Sequence, residues 1–588
     1  MGTSHDLPAR FLCAELASGR VTAERKSALT RIELRTTLHS NPPHERIRQK
    51  SGRIRLTLLP GSITALLPEE ASAPGSLIKG PTPPSMASQT GASMSTTRIN
   101  QHIPHPHELF IGGDWVSPSS SAKLDVIQPG TEELYMSVAE AKAADMDSAV
   151  LAARRAFDHG PWPRMSPAER AVYLRRIAQA MSKHNDAFAT LWSAQTGLVH
   201  SLSQAIIPMC AQTFEYYAGL GDTFPFVERH TPQAGGNVGL LVREPVGVVA
   251  AIVPWNAPLP LLCFKVAPAL IAGCTVIVKA SPEAPGEALL FAEAVKEAGL
   301  PEGVVNIVTA DREVSELLVR NPGVDKVTFT GSTAAGKKIA GILAERVARV
   351  SLELGGKNAA VILDDYDLEA AAQTLSATAL YLSGQACGAI TRVIVSRSRH
   401  DAFVEAMSGV FSNLKVGDQF DPATQVGPLA MARQRDRVEG YIAKGKAEGA
   451  KLATGGGRPR HLERGYFIEP AVFGNVDNNM VIAREEIFGP VICVIPAGSD
   501  AEAIRIANDS DFGLNGTVYT HDVDRAYQIA RQIRSGTVGH NATRGDFSIG
   551  WGGFKQSGIG REGSIPGLQP FLESKTIILD GEPSGLPV

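Results

Sequence analysis

Cysteine is scarce in this chain. Six residues of 588, Cys13, Cys210, Cys263, Cys274, Cys387 and Cys493, stand without paired spacing. That excludes a disulfide framework and a cysteine-based zinc module, and it fits reduced thiols in a cytoplasmic setting; no metal site is expected. Long apolar runs are also missing. The longest stretches, 246–253 and 266–278, are short or broken by proline and glycine, well below the ~18 residues that a membrane span requires. An excess of one charge is absent too: Lys+Arg number 57 and Asp+Glu 60, a formal net charge of −3. Nucleic-acid binding calls for a basic face, so neither nucleic acid nor membrane is expected as a partner.

What is present is an ordinary globular composition, 44% hydrophobic and 20% charged, long enough for two or three domains. Residues 1–106 differ from the remainder. They are rich in Pro, Ser, Thr and Gly, and hold 13 basic against 7 acidic residues, leaving 44 against 53 for the rest. Without apolar periodicity such a segment cannot offset the entropy of ordering. It is expected to be a disordered extension, or the product of a mis-assigned start with translation beginning at Met86 or Met94. No continuous apolar segment marks a secretory signal, and Asp6, Glu15, Glu24 and Glu33 argue against an organelle transit peptide.

From about His107 the chain becomes patterned. Leu109–Val116 reads as two short strands around a Gly-Gly-Asp turn, and Asp145 as the cap of an alanine-rich helix. Beyond residue 244 strands and helices alternate: strands at 246–253, 275–279, 304–308 and 326–330, helices at 259–272, 287–297 and 315–320. A second alternation runs from about 382 to 533. The fold class expected is α/β, with two doubly wound parallel-sheet domains whose ligands lie at the carboxyl ends of the strands.

Several motifs sit at those ends. Gly331–Gly336 joins a strand to a helix, where backbone N–H groups can bind phosphate or merely make the connection. Lys279 ends a buried strand; it either reaches a polar ligand or extends its stem to solvent. Glu353 lies between leucines beside Gly355-Gly356, and Glu485-Glu486 beside Phe488-Gly489-Pro490; either pair of surroundings could yield a general base, and the residues alone do not choose. Cys387, between Ala386 and Gly388 in Gly384-Gln385-Ala386-Cys387-Gly388, is a nucleophile or a small buried hydrophobe. Gly552–Glu562 is a glycine-dense loop of the kind that is functional or interfacial.

In order, Pro254-Trp255-Asn256, Lys279-Ala280-Ser281, Phe329-Thr330-Gly331-Ser332, Glu353–Lys357, Gly384–Cys387, Glu485–Pro490 and Gly552–Glu562 resemble the motif series of the aldehyde dehydrogenase superfamily, over roughly residues 107 to 580. The resemblance implies NAD(P)-dependent oxidation of an aldehyde to a carboxylic acid. Cys387 would be the nucleophile, Asn256 and the Cys387 N–H the oxyanion donors, and Glu353 the base that activates water. Trp255, Lys279, Ser281, Gly331, Ser332, Gly336, Leu354, Gly355, Glu486 and Phe488 would contact the cofactor, NAD with NADP possible. It also implies a homodimer or homotetramer built through a small β oligomerisation arm.

The expected domains are residues 107–225 with 244–354 for the dinucleotide, 355–540 for catalysis, and 226–243 with 541–588 for the arm and C-terminal strand. Three departures from the family pattern stand out. Pro282 replaces a glutamate common in NAD-preferring relatives, with Glu283 one place later; Leu382 stands where an asparagine is frequent; Gly388 follows the nucleophile and is expected to widen the pocket. Phe214, Trp255, Leu259 and Phe547 are expected walls. Cys263 and Cys274 are expected to be packing residues. Two rivals remain: a CoA-acylating semialdehyde dehydrogenase, against which the retained Glu353 argues, and a catalytically retired binding protein, against which the joint presence of Cys387, Glu353 and Asn256 argues.

Overall fold

The structure is a computed structural model and describes residues 103–584. Residues 1–102 and 585–588 lie outside the described residues, and with them nearly all of the expected N-terminal extension.

Five strands form the centre of the first sheet: β1 (Val248–Ile252), β2 (Thr275–Ala280), β3 (Val305–Thr309), β4 (Lys326–Thr330) and β5 (Arg349–Glu353). Every residue of β1 to β4 is buried, and β-branched side chains recur without polar alternation. A sheet covered on both faces requires that pattern, and parallel strands are covered in this way. All five run parallel in the order β3-β2-β1-β4-β5. Successive residues point to opposite faces. Val249, Ala251, Val276 and Val278 therefore enter one apolar core, while Val248, Ala250, Ile252 and Ile277 enter another. Leu109–Ile111 and Gly558–Ile559 add antiparallel at the two sides of this array.

The order reverses between β1 and β4, which leaves a crevice at their carboxyl ends. β1 runs into Pro254-Trp255-Asn256 and β4 into Gly331-Ser332. Helix α1 (Pro258–Ala272) follows β1 with proline in its first turn and closes on Gly273 in the left-handed conformation. Helix α2 (Thr333–Ala344) follows β4 and is capped by Ser332, whose hydroxyl accepts the Ala335 N–H at 3.3 Å.

The second sheet contains β6 (Asn358–Ile362), β7 (Ile390–Ser396), β8 (Ala471–Gly474), β9 (Val491–Ala497) and β10 (Gly516–Tyr519), parallel in the order β8-β9-β7-β6-β10. Only Leu354-Gly355-Gly356-Lys357 separates β5 from β6. A third, three-stranded sheet pairs Val227–His230 with Val238–Pro245 and the latter with Leu572–Leu579.

Two expectations need correction. Residues 541–571 are not part of the arm sheet. Gly558 and Ile559 pair with Glu353 and Leu352, and Trp551 bridges Glu562, so this stretch returns to the first sheet and only Leu572–Leu579 joins the arm. Asp145 is not a cap but the third residue of helix Ala143–Asp158; its carboxylate accepts from the Lys142 N–H at 2.8 Å and the Ser119 N–H at 2.8 Å.

The entry to β1 depends on Asp325. Its carboxylate accepts the Val248 N–H at 2.7 Å and the Arg154 guanidinium at 2.5 Å. Gly247, at φ 129°, passes so close to that carboxylate that a Cβ would overlap it. Gly247→Ala combines positive φ with this collision and is expected to cost about 2–4 kcal/mol. The expected result in a thermal melt is a lower Tm for Gly247→Ala, with a smaller drop for Asp325→Asn.

Candidate active site

The chain arrives at Cys387 through a strained turn. Leu382, Ser383 and Gly384 all take positive φ, 53°, 53° and 76°. Leucine there is costly, where asparagine would be tolerated. Leu382 is compensated by burial in the core, and the Ser383 hydroxyl donates to the Gly427 carbonyl at 3.0 Å. At Gly384 any Cβ would strike the Gly489 backbone. Gln385 then accepts the Ala430 N–H at 3.0 Å and donates to Leu382 O at 3.1 Å. Its carbonyl receives Asn256 Nδ2 at 2.9 Å, and Trp192 Nε1 donates to Asn256 O at 3.0 Å. Asn256, on the loop from β1, is thereby tied to the residue two places before Cys387.

Behind Cys387 the turn is clamped by two further asparagines. Asn358 Nδ2 donates to both Cys387 O and Ala389 O, each at 2.8 Å. Asn358 Oδ1 accepts the Asn515 N–H at 2.9 Å, and Asn515 Nδ2 donates to Gly388 O at 3.1 Å. Among the described residues the Cys387 N–H has no backbone partner.

Charge is sparingly solvated here. Glu353, the last residue of β5, is 4% exposed, and neither carboxylate oxygen has a partner. Burial, reinforced by the negative charge of Glu562, raises its pKa far above the ordinary carboxylate range. Withdrawal from water, then the carboxylates of Glu486, Glu353 and Glu562, push the Cys387 thiol up to about 12. Glu562 pairs with Lys265, which is fully buried on α1 and also donates to Thr330 Oγ1 at 2.7 Å. Glu562 Oε2 remains without a partner.

The crevice at the β1–β4 reversal gathers the remaining expected residues. Lys279 is the last residue but one of β2; burial lowers its pKa to about 8, opposed by Glu283 and Asp311. The Ser281 hydroxyl donates to Glu283, which also pairs with Arg433. Glu283, one position after Pro282, thus has its carboxylate engaged by Ser281 and Arg433. Glu486 accepts the Gly356 N–H at 2.8 Å and lies so close to Gly355 that no Cβ would fit; burial raises its pKa to about 7. Phe488, at φ 64°, sets its ring edge-on to Trp255 at 5.5 Å. Gly331 and Ser332 form the turn into α2. A Cβ at Gly336 would meet the Leu354 side chain, so its small size lets α2 pack on the linker that follows β5. Among the described residues no cluster of His, Cys, Asp and Glu is arranged for a metal, and no helix is long and apolar enough to cross a membrane.

Comparison with known proteins now bears on this geometry. The family profile described as Aldehyde dehydrogenase family matches residues 115–577. The chain belongs to the aldehyde dehydrogenase family. It is 44% identical over 480 residues to geranial dehydrogenase of Castellaniella defragrans, covering 82% of this chain and 100% of that one. It is 38% identical to betaine aldehyde dehydrogenase 1 of Rhizobium meliloti, covering 81% and 98%. Among solved structures, a Mycobacterium tuberculosis aldehyde dehydrogenase complexed with NAD+ superposes with a TM-score of 0.78 at 45% identity, covering 82% and 99%. A Pseudomonas syringae aldehyde dehydrogenase complexed with NAD+ and octanal gives 0.78 at 39%, with the same coverage.

In this aldehyde dehydrogenase some expected walls are not walls. Phe214 and Leu259 are fully buried in the core, Phe214 against Phe291 at 5.7 Å. Gly388 does not widen the site, because the Trp551 ring fills the space beside it. Cys263 and Cys274 are fully buried, as expected of packing residues. Lys265, Glu562, Asn358 and Trp551 went unassigned in the sequence. Lys265 carried a signal, a lone cation in an otherwise apolar helix; the others acquire meaning only through contacts distant in the chain.

Because the thiol is held protonated, iodoacetamide alkylation of Cys387 in the ligand-free protein is expected to rise about tenfold per pH unit from pH 7 to 9. A plateau below pH 8 would reveal a resident thiolate.

Proposed function

We propose that this aldehyde dehydrogenase oxidises an aldehyde to a carboxylic acid, with NAD as the hydride acceptor, and releases the acid by hydrolysis. The observation that carries this reading is the buried, unpartnered Glu353 carboxyl beside Cys387, with the Asn256 amide fixed on the other strand end. The Cys387 thiol loses its proton to solvent water as its sulfur adds to the aldehyde carbon, forming a C–S bond and moving the carbonyl electron pair onto oxygen. Asn256 Nδ2, which has a second N–H, and the Cys387 N–H receive that charge. Loss of hydride leaves a thioester on Cys387. Glu353 takes a proton from water as the water oxygen attacks; the C–S bond breaks, and the acid departs from a regenerated thiol. The proton that Glu353 takes passes to the departing sulfur, so thiol and carboxylate are restored together.

Bound in the crevice, NAD would supply the hydride acceptor. The residues fit it: Lys279 and Ser281 would meet the adenosine ribose, Gly331 and Ser332 the pyrophosphate, and Glu486, Leu354, Gly355 and Phe488 the nicotinamide end, beside Trp255. The Glu283 carboxylate beside Ser281 disfavours a 2′-phosphate, which supports NAD over NADP. Relatives crystallised with NAD+ support the same choice. Retention of Glu353 supports water over CoA as the acyl acceptor. Leu572–Leu579 lies at the edge of the arm sheet, which supports strand addition from a second copy in a homodimer or homotetramer. Cysteines that are all unpaired among the described residues support a reducing, cytoplasmic setting.

Two substitutions test the reading. Cys387→Ala is expected to abolish NADH formation while leaving NAD affinity intact. Glu353→Gln is expected to give one rapid turnover of NADH and then a steady rate about 10²–10⁴ lower, seen by stopped-flow absorbance. Since burial raises the pKa of the Glu353 carboxyl, its base form gains population as pH rises, so the wild-type steady rate should climb with pH, and that climb should vanish in Glu353→Gln. A steady rate equal to wild type in either variant would overturn the assignment.

A further inference from the structure

The joint between the two sheets carries a cation that the steps above do not use. Lys357 is 2% exposed, and among the described residues its ammonium has no hydrogen-bond partner. An unpaired charge withdrawn from water is costly, and a neighbouring carboxylate offsets that cost. The backbone here is pinned, for the Lys357 carbonyl accepts Arg392 Nε at 3.1 Å. Strand register gives the direction of the side chain. Ala359 pairs with Arg392 and Arg392 with Cys493, so these three share one face of the second sheet, and Lys357 stands two residues before Ala359. Ile487 closes that face in the same apolar cluster as Ala359 and Cys493. The carboxylates that act on Lys357 are the two just before Ile487 in the chain, Glu486 and Glu485.

Of the two, Glu485 is exposed and its carboxylate accepts the Tyr441 hydroxyl at 2.5 Å. Glu486 lies on the joint itself: it accepts the N–H of Gly356, the residue before Lys357, at 2.8 Å. The cations acting on it are Arg437 and Lys357. Arg437 is occupied by carbonyls, donating to Glu486 O at 2.5 Å and Ile487 O at 3.1 Å. Arg392 is likewise committed, to Lys357 O, Asn478, Ile506 O and Ala507 O. The Cys493 thiol donates to Ile482 O at 3.2 Å. We propose that Lys357 is a positioning residue for Glu486: its buried ammonium keeps that side chain a carboxylate, so the joint holds a fixed negative charge beside the nucleophile and toward the nicotinamide end of the crevice. The effect on the nucleophile belongs to the ligand-free protein; the effect on the dinucleotide rests on the NAD-dependent reading above. Burial raises Glu486 to about 7 and lowers Lys357 to about 8, and the window in which both are charged lies between those values. Without the ammonium the carboxyl stays protonated to higher pH. Glu486 is in turn the foremost of the carboxylates that push the Cys387 thiol up. Losing the cation therefore makes the sulfur easier to ionise, the reverse of what a cation acting directly on the thiol would do.

The test begins in the ligand-free protein, with the rate of Cys387 alkylation by iodoacetamide at about pH 7.5, read by mass spectrometry. Lys357→Met and Lys357→Gln are both expected to raise it about two- to fivefold, and Glu486→Gln to raise it at least as much. Adding Lys357→Met to Glu486→Gln should change nothing further. Lys357→Arg, which restores the charge, should return the rate to that of wild type. NAD affinity by titration calorimetry is the second arm. The wild-type Kd should fall as pH rises through about 7; that fall should move up by about one pH unit in Lys357→Met and disappear in Glu486→Gln. Tm should not drop in Lys357→Met, because an apolar chain of similar length replaces an unpaired buried ammonium. Alkylation that is unchanged or slower in Lys357→Met and Lys357→Gln overturns the proposal. So does an effect of Lys357→Met that persists in Glu486→Gln, or one that Lys357→Arg leaves in place. Coupled alkylation rates with an NAD Kd that ignores pH in every protein instead overturn the contact of NAD with Glu486, and the parent reading at that point.

Discussion

Four residues, Leu354-Gly355-Gly356-Lys357, join the last strand of one sheet to the first strand of the other, and the reactive groups are placed relative to that joint. Glu353 ends the strand on one side, and Asn358, which clamps the Cys387 turn, begins the strand on the other. In between, the Gly356 N–H holds Glu486, while Gly355 and Gly356 bring the backbone hard against Glu486 and the Cys387 carbonyl. Larger side chains would push against the Glu486 carboxylate and the Cys387 carbonyl. The two glycines therefore set how closely the joint approaches the Cys387 turn, a fit that belongs to the meeting of the two sheets rather than to either alone.

Low solvation is the second constraint, and it follows from the first. Enclosing Cys387, Glu353 and Glu486 where the sheets meet leaves three groups that all resist becoming anions. Two buried lysines respond in opposite ways. Lys265 is committed to Glu562 and Thr330, whereas Lys357 lies buried with its ammonium unpartnered and its pKa lowered to about 8 by burial. A site this dry strengthens every electrostatic interaction formed in it, so one introduced charge changes the protonation of its neighbours.

How much of this was legible beforehand follows from the range of each interaction. Strands β1 to β4 were readable because full burial writes an unbroken run of β-branched residues, and Gly273 and Ser332 mark helix ends by local chemistry. The family motifs around Asn256, Glu353 and Cys387 were readable as short sequence signals. The meaning of Gly388 was not, since the ring that occupies its space comes from Trp551, more than 160 residues later. Residues 541–571 were misassigned for a related reason: a glycine-dense loop has no periodicity, and its partners Glu353 and Lys265 are visible only in three dimensions. Asp145 was misplaced by three residues because a third-position carboxylate and a cap share the same composition.

The contact between Glu283 and Arg433 ties the segment after β2 to helix Ala432–Ala447, near the Lys279 end of the crevice between β1 and β4. Arg433 is 67% exposed, so mobile ions reach this tether and weaken it. Ionic strength thereby governs this tether, while the Lys265–Glu562 pair, enclosed beside Glu353, is shielded from it.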